Sequence, residues 1–194
     1  MLIVPTQSSV PHGPQHYDVV SVVFHWLTAF LAVTLFLLAE VWDFLPHGTP
    51  LRHNLQGLHV SLGILLSAVL AARLIWRIWF GRKLSPVISR LPYWVARGVH
   101  HLLYALLIGQ IGLGYIFRWA QGEAFSFFGL FSIPALISPD KAAARLAGDF
   151  HNFIGWTIIV LVCGHAVVAL LHHYVLRDDT LKRMLPNRTG RSSF

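Results

Sequence analysis

The sequence predicts an all-α integral membrane protein, a four-helix bundle with both termini in the cytoplasm. Three observations carry this. Of 194 residues, 55% are hydrophobic and only 12% are charged, against about 25% charged in a typical soluble domain. Four apolar stretches follow one another, each long enough for a hydrocarbon core, which takes roughly 20 helical residues. The Lys and Arg residues sit between those stretches, where a membrane protein keeps its orientation charges. The mean hydropathy of +0.60 excludes an unstructured chain and argues against a soluble enzyme. The formal charge of +7 does not point to nucleic acid, because the basic residues form no single stripe.

Residues 1–18 contain Pro5, Pro11 and Pro14, with no positive segment and no small-residue cleavage site. They read as a flexible N-terminal tail and not as a cleaved signal peptide. The transmembrane domain is expected over 19–176, with helices at about 19–42, 57–80, 96–117 and 150–176. Lipid offers no hydrogen bonds, so these segments must be helical. The connection from Arg118 to Asp149 is the longest; its FSFFGLFSIPAL run, cut by Gly129 and Pro134, is expected as a short helix on the membrane surface. Residues 177–194 form a cytoplasmic C-terminal tail, in which DDTLKRM suits a short surface helix.

Orientation follows from Arg73, Arg77, Arg82, Lys83, Arg90, Arg97, Arg177, Lys182, Arg183, Arg188 and Arg191, which outnumber Arg52, Arg118, Lys141 and Arg145 on the other side. The positive side faces the cytoplasm. Trp and Tyr near the helix ends (Trp42, Trp76, Trp79, Tyr93, Trp94, Tyr115 and Trp119) fit an interfacial belt. Cys163 reads as a small buried hydrophobe.

Twelve His in a chain with eight carboxylates require an explanation, since ionisable groups in spanning helices are costly and face the bundle interior. His25 lies in helix 1, His59 in helix 2, and His151 and His165 in helix 4. Fourteen residues at about 100° each bring His151 and His165 to nearly one face, about 21 Å apart along the axis. His59 matches the depth of His151, and His25 can pair with His165. Two layers of two imidazoles describe two bis-His haem sites. A transported cation would need carboxylates or a dense ligand cluster; a porphyrin needs only axial ligands. No C-x-x-C-H is present, so covalent haem attachment is excluded. Gly57, Gly63, Gly155 and Gly164 allow close approach of a macrocycle or of a neighbouring helix. By depth alone His172 also pairs with His25, and His100 is a further candidate. His12, His16, His47 and His53 read as loop residues.

The chain resembles the bacterial cytochrome b561 family of four-helix, di-haem, quinone-linked membrane proteins, which includes superoxide oxidase. The resemblance runs from Tyr17 to Pro186. It is carried by Tyr17–Trp26 (YDVVSVVFHW), Leu58–Gly63 (LHVSLG), Arg73–Arg77 (RLIWR), His100–Tyr104 (HHLLY), Gly112–Tyr115 (GLGY), Phe150 with His151, Gly164–Tyr174 (GHAVVALLHHY) and Asp178–Pro186 (DDTLKRMLP). It implies axial ligation by His25 with His165 and by His59 with His151, and this resolves the inner pairing. It also implies two haems b in a bacterial inner-membrane protein that passes electrons from an outer one-electron donor, superoxide in one class, to ubiquinone. As an enzyme this is a superoxide:ubiquinone oxidoreductase. The alternative is a carrier or anchor subunit for a periplasmic redox protein, and the third reading is a haem-free His-rich metal transporter.

His172 and His173 close helix 4 below the inner layer, where a quinone head group needs a hydrogen-bond donor; Trp26 offers an apolar wall. Binding of haem propionates is the competing role. Arg73 and Arg77, one turn apart, suit propionate or quinone, or supply orientation charge. Arg118, Lys141 and Arg145 on the outer side attract anions weakly, with Glu123, Asp140 and Asp149 close by in sequence. No nucleotide loop, flavin fingerprint or nucleophile elbow is present.

Overall fold

The computed structural model describes residues 16–82, 84 and 90–185. The expected tail up to Gln15, Lys83, Arg188, Arg191 and the Tyr93 side chain lie outside the described part. Four long helices run α1 (Val19–Asp43), α2 (Pro50–Trp79), α3 (Arg90–Ala120) and α4 (Lys141–Leu171). All four are long and apolar enough to cross a membrane. Large apolar side chains point outward along them, with Phe30 67%, Ile78 71% and Phe153 68% exposed. In water such a surface would aggregate; in a bilayer it meets acyl chains.

The starts of α1, α2 and α4 are capped, and α2 and α4 begin upstream of their apolar stretches. Asp18 accepts from the Ser21 backbone N–H and hydroxyl. Thr49 caps α2, with Pro50 in its first turn, where a missing N–H costs nothing. Asp140 accepts from the backbone N–H groups of Ala142 and Ala143, so the Ala-rich 141–149 segment joins α4. At the end of α1, Arg52 donates to the carbonyls of Trp42 (2.6 Å) and Leu45 (3.0 Å) and pairs with Asp43. A cation there satisfies orphan carbonyls and complements the helix dipole.

The expected surface helix between α3 and α4 is instead a two-stranded antiparallel hairpin, β1 (Phe125–Phe127) with β2 (Phe131–Ile133). Its turn places Phe128 (φ 48°) and Gly129 (φ 74°) in the left-handed region, as a tight hairpin turn demands. Alternation of Phe, Ser and Ile then outweighs helical periodicity. Phe125 points inward and is buried. Ser61 of α2 fastens the hairpin: its hydroxyl lies within reach of the carbonyls of Gly57 and Ser126 and accepts from the Phe128 N–H at 3.0 Å.

At the opposite end, α4 passes into a π-helical turn, His172–Leu176, closed by Arg177 in the left-handed region (φ 55°). The chain then folds back through a short 3₁₀ turn, Lys182–Met184, in place of the expected surface helix. Trp26 donates its indole N–H to the Met184 carbonyl, and the Tyr17 N–H reaches the Arg183 carbonyl. The start of α1 and the C-terminal segment therefore lie at one end of the bundle, and the hairpin lies at the other.

Packing is concentrated within two helical pairs, α1 with α2 and α3 with α4; few contacts cross between them. Leu31, Leu35, Leu66 and Val69 form one core, and Leu70, Leu107 and Ile158 a second. Cys163 is exposed on the outward surface of α4, contrary to the expected buried position.

Asp18 also accepts from the Trp76 indole N–H (2.9 Å) and the Arg82 backbone N–H (3.3 Å), which ties the start of α1 to the end of α2. Burial alone would raise its pKa, but the Ser21, Trp76 and Arg82 hydrogen bonds prevail and lower it to about 2. A carboxylate depressed in the folded state stabilises fully above its unfolded pKa, near 4, and loses that contribution as pH falls toward 2. Asp18→Ala should destabilise the protein by about 1–2 kcal/mol at neutral pH, from the lost cap and the stranded indole N–H. Thermal melts in detergent should show the wild-type advantage over Asp18→Ala shrinking between pH 4 and pH 2.5; an advantage unchanged over that range rules out the charge as its source.

Candidate cofactor site

Histidines of α1, α2 and α4 meet in two layers. His59 and His151 face each other near the hairpin end, with ring centroids 6.3 Å apart and an interplanar angle of 69°. His25 and His165 face each other near the termini, 6.4 Å apart at 67°. First-row metal–imidazole bonds are about 2.0–2.1 Å, so two rings bound to one metal atom from opposite sides have centroids roughly 6.3 Å apart. Both pairs have this spacing. His100 approaches His165 at 5.1 Å, too close to share a metal in that way. Its Nδ1 donates to the Ala96 carbonyl one turn back. Each facing pair takes one histidine from the α1–α2 half and one from the α3–α4 half.

The pair near the hairpin is oriented by backbone. His59 Nδ1 lies 3.0 Å from the Leu35 carbonyl, and His151 Nδ1 lies 3.0 Å from the Gln110 carbonyl. A carbonyl can only accept, so each Nδ1 carries the proton and each Nε2 keeps a free lone pair. This is the tautomer that metal ligation requires. Both histidines sit roughly two and a half turns inside their helices, deeper than the apolar stretches implied.

Space around the pair fits a flat group. Gly63 and Gly155 follow His59 and His151 by one turn, on the same faces. A Cβ at Gly63 would meet nothing within 4 Å, and one at Gly155 only the Gln110 amide. Gly63 therefore faces open space, whereas Gly155 lies close against the Gln110 side chain of α3. Gly114 is different, since its Cβ would lie 3.1 Å from His151 Cε1, so glycine is needed there to seat that ring. Gly57 and Gly164 are exposed and take no part.

The pair near the termini is held otherwise. Arg73 donates to His25 Nδ1 at 3.0 Å, and its guanidinium lies over the Tyr104 ring, 5.1 Å from the centroid. Arg77 stacks on the same ring at 5.9 Å. Ligation through His25 Nε2 requires Nδ1 to hold the proton, so Arg73 must turn aside. A carboxylate offers it a stronger, charge-assisted partner than a neutral imidazole nitrogen. The donor set, the ring separations and the open space beside Gly63 fit a bis-His haem at each pair.

At the bundle end, His172 Nδ1 lies 2.5 Å from Asp178 Oδ2. His173 packs against Tyr174, and its Nδ1 is buried without a hydrogen-bond partner. Trp26 packs edge-on to His25, at 5.6 Å. Burial acts to raise the Asp178 pKa, but hydrogen bonds from His172 and Thr180 outweigh it and hold the carboxyl below its usual range.

Trp42, expected in the interfacial belt, packs edge-on to His59 at 4.9 Å. Tyr115 and Trp119 pack with Phe125 beneath the hairpin. Arg118 pairs with Glu123, which cancels part of the expected positive field. The carbonyls of Leu35 and Gln110, the Arg73–His25 contact and Asp178 were not foreseen; backbone acceptors leave no mark in a residue pattern. Among the described residues, no group of three or more His, Cys, Asp or Glu is arranged to hold a bare metal ion.

A family model described as prokaryotic cytochrome b561 matches residues 16–187. The chain is 38% identical to "Cytochrome b561 homolog 2" of Escherichia coli K12, over 95% of this chain and 97% of that protein. It is 26% identical to "Cytochrome b561 homolog 1" of the same organism, covering 84% and 93%. It is also 26% identical to "Probable superoxide oxidase CybB" of Yersinia pestis, covering 90% and 98%.

Proposed function

The chain belongs to the prokaryotic cytochrome b561 family, and from that premise we propose that it moves single electrons through two haems b from a donor at the hairpin end to ubiquinone at the termini end. It is a multi-pass bacterial membrane protein of an electron-transfer family that implies haem b. The observation that carries the proposal is the pair of facing histidine couples, 6.3 and 6.4 Å across, at two depths of one bundle.

Haem iron, when bound, accepts and releases one electron at a time at a potential set by its ligands and burial. His59 with His151, and His25 with His165, would hold the two irons. The Leu35 and Gln110 carbonyls fix the imidazole tautomers of the first couple. Arg73 and Arg77 neutralise propionate or quinone charge near the second. His172 and His173 supply protons to a quinone bound beside Trp26, and the apolar helix faces exclude water between the layers.

The Lys and Arg distribution supports placing the termini end in the cytoplasm of the bacterial inner membrane, with the hairpin outside. Superoxide as the donor rests on the likeness to the Yersinia pestis protein; a periplasmic redox protein is the competing donor. The haem-free transporter is not supported, because the imidazoles come in facing couples without carboxylates.

Rapid mixing of purified holoprotein with superoxide, with and without a short-chain ubiquinone analogue, tests this reading. Haem should be reduced within the mixing timescale and reoxidised when quinone is present. Failure of superoxide to reduce it assigns the outer donor to a protein. A pyridine haemochrome assay should return two haems b per fully loaded chain, and a clearly lower figure removes one layer.

A further inference from the structure

We propose that Asp178 is a positioning residue for quinone reduction: it fixes the ring of His172 so that Nε2, and not Nδ1, is the atom that delivers protons. The inference rests on the reading of His172 as a proton donor to quinone and names what governs that donor.

Three features converge on the pair. First, Asp178 is itself immobilised. Its Oδ1 accepts from the Thr180 N–H at 2.9 Å, while Oδ2 lies 2.5 Å from His172 Nδ1. Second, the backbone delivers it there. The π-helical turn His172–Leu176 and the left-handed Arg177 reverse the chain, and the Asp178 N–H returns to the His172 carbonyl at 3.1 Å. The π-turn terminates α4, as π-turns commonly do at helix C-termini, and it begins at the histidine concerned. Third, both side chains are largely shielded, at 17% and 19% exposure, so the contact is not a solvent-exposed ion pair. The neighbouring Asp179 carboxylate is engaged by Lys182 and does not compete for the ring.

A carboxylate on Nδ1 accepts only if Nδ1 carries hydrogen. The ring is then either neutral with a bare Nε2 or an imidazolium with a proton on Nε2, and only the second can give a proton to quinone. The chemistry balances as one quinone plus two electrons plus two protons giving one quinol. The two electrons come singly from the proposed transfer. Each proton leaves His172 Nε2 for a quinone oxygen. The ring returns to its Nδ1–H form on Asp178 and regains its Nε2 proton from cytoplasmic water.

The test uses full-length holoprotein in detergent, reduced and then mixed with a short-chain ubiquinone analogue. Asp178→Asn should slow the maximal rate of haem reoxidation at least tenfold, with KM for the analogue and the haem spectrum unchanged; Asp178→Glu should recover most of the rate. In a His172→Phe background, Asp178→Asn should add nothing. A normal rate in Asp178→Asn alongside a slow His172→Phe overturns the proposal. So does an equal further slowing of the double variant. A normal rate in His172→Phe overturns the quinone reading itself. Nitrogen NMR on ¹⁵N-histidine wild-type protein needs no variant to fold: the His172 ring should carry hydrogen on Nδ1, and a neutral ring protonated only on Nε2 overturns the assignment.

Discussion

Replacing His59 or His151 with alanine should remove one haem per chain and spare the other, halving the haemochrome yield and leaving a single redox transition. His25→Ala or His165→Ala should remove the other haem. The effect is expected to be complete because, in the proposed assignment, each couple supplies both axial ligands, and a porphyrin iron held on one side only is readily lost in detergent. The structure makes the His59–His151 result the sharper of the two. Its imidazoles already hold the ligating tautomer through Leu35 and Gln110. At the inner couple, His100 stands 5.1 Å from His165 and is the one neighbour able to take over partly. If His172→Ala abolishes the inner haem while His165→Ala does not, the inner couple is misassigned.

The second large effect concerns the exit to quinone. Changing both His172 and His173 to phenylalanine should keep both haems in place and slow reoxidation by the quinone analogue by about 10²–10⁴-fold, the usual contribution of a positioned acid. Phenylalanine preserves the apolar volume at the end of α4 and removes the proton. Unchanged reoxidation with full haem content would place the quinone elsewhere in the bundle.

The sequence reveals those features that depend on a side chain's chemistry and its spacing. Four apolar runs mark four spanning helices, and the 14-residue interval between His151 and His165 puts two rings on one face, as the structure has them. It conceals what depends on backbone. The hairpin at Phe125–Ile133 was masked because its Phe and Ile residues read equally well as one face of a surface helix. The two left-handed residues at its turn could have warned of it only through Gly129. The early start of α4 at Lys141 escaped a reading based on hydropathy, since Ala-rich polar segments extend a helix without deepening the apolar signal. Trp42 was assigned to the interface because position along a helix does not tell which way an aromatic ring leans. The Asp178–His172 contact crosses a π-turn, whose register no α-periodic count reproduces.

The thin packing between the α1–α2 and α3–α4 halves bears on how the protein is made. The α1–α2 half precedes the α3–α4 half in the chain and leaves the ribosome first. Without water between them, the halves gain little from apolar contact alone. Beyond the Leu70–Leu107–Ile158 cluster and the hairpin on Ser61, each half offers the other one imidazole at each of two depths. In the proposed assignment, haem ligation across that seam would act as a staple and make the supply of the prosthetic group a checkpoint in biogenesis. Chains synthesised in a haem-starved cell would persist as two inserted but undocked hairpins, the kind of loose substrate that membrane quality-control proteases clear. The steady-state level of this protein should then follow haem supply even when its transcription does not change.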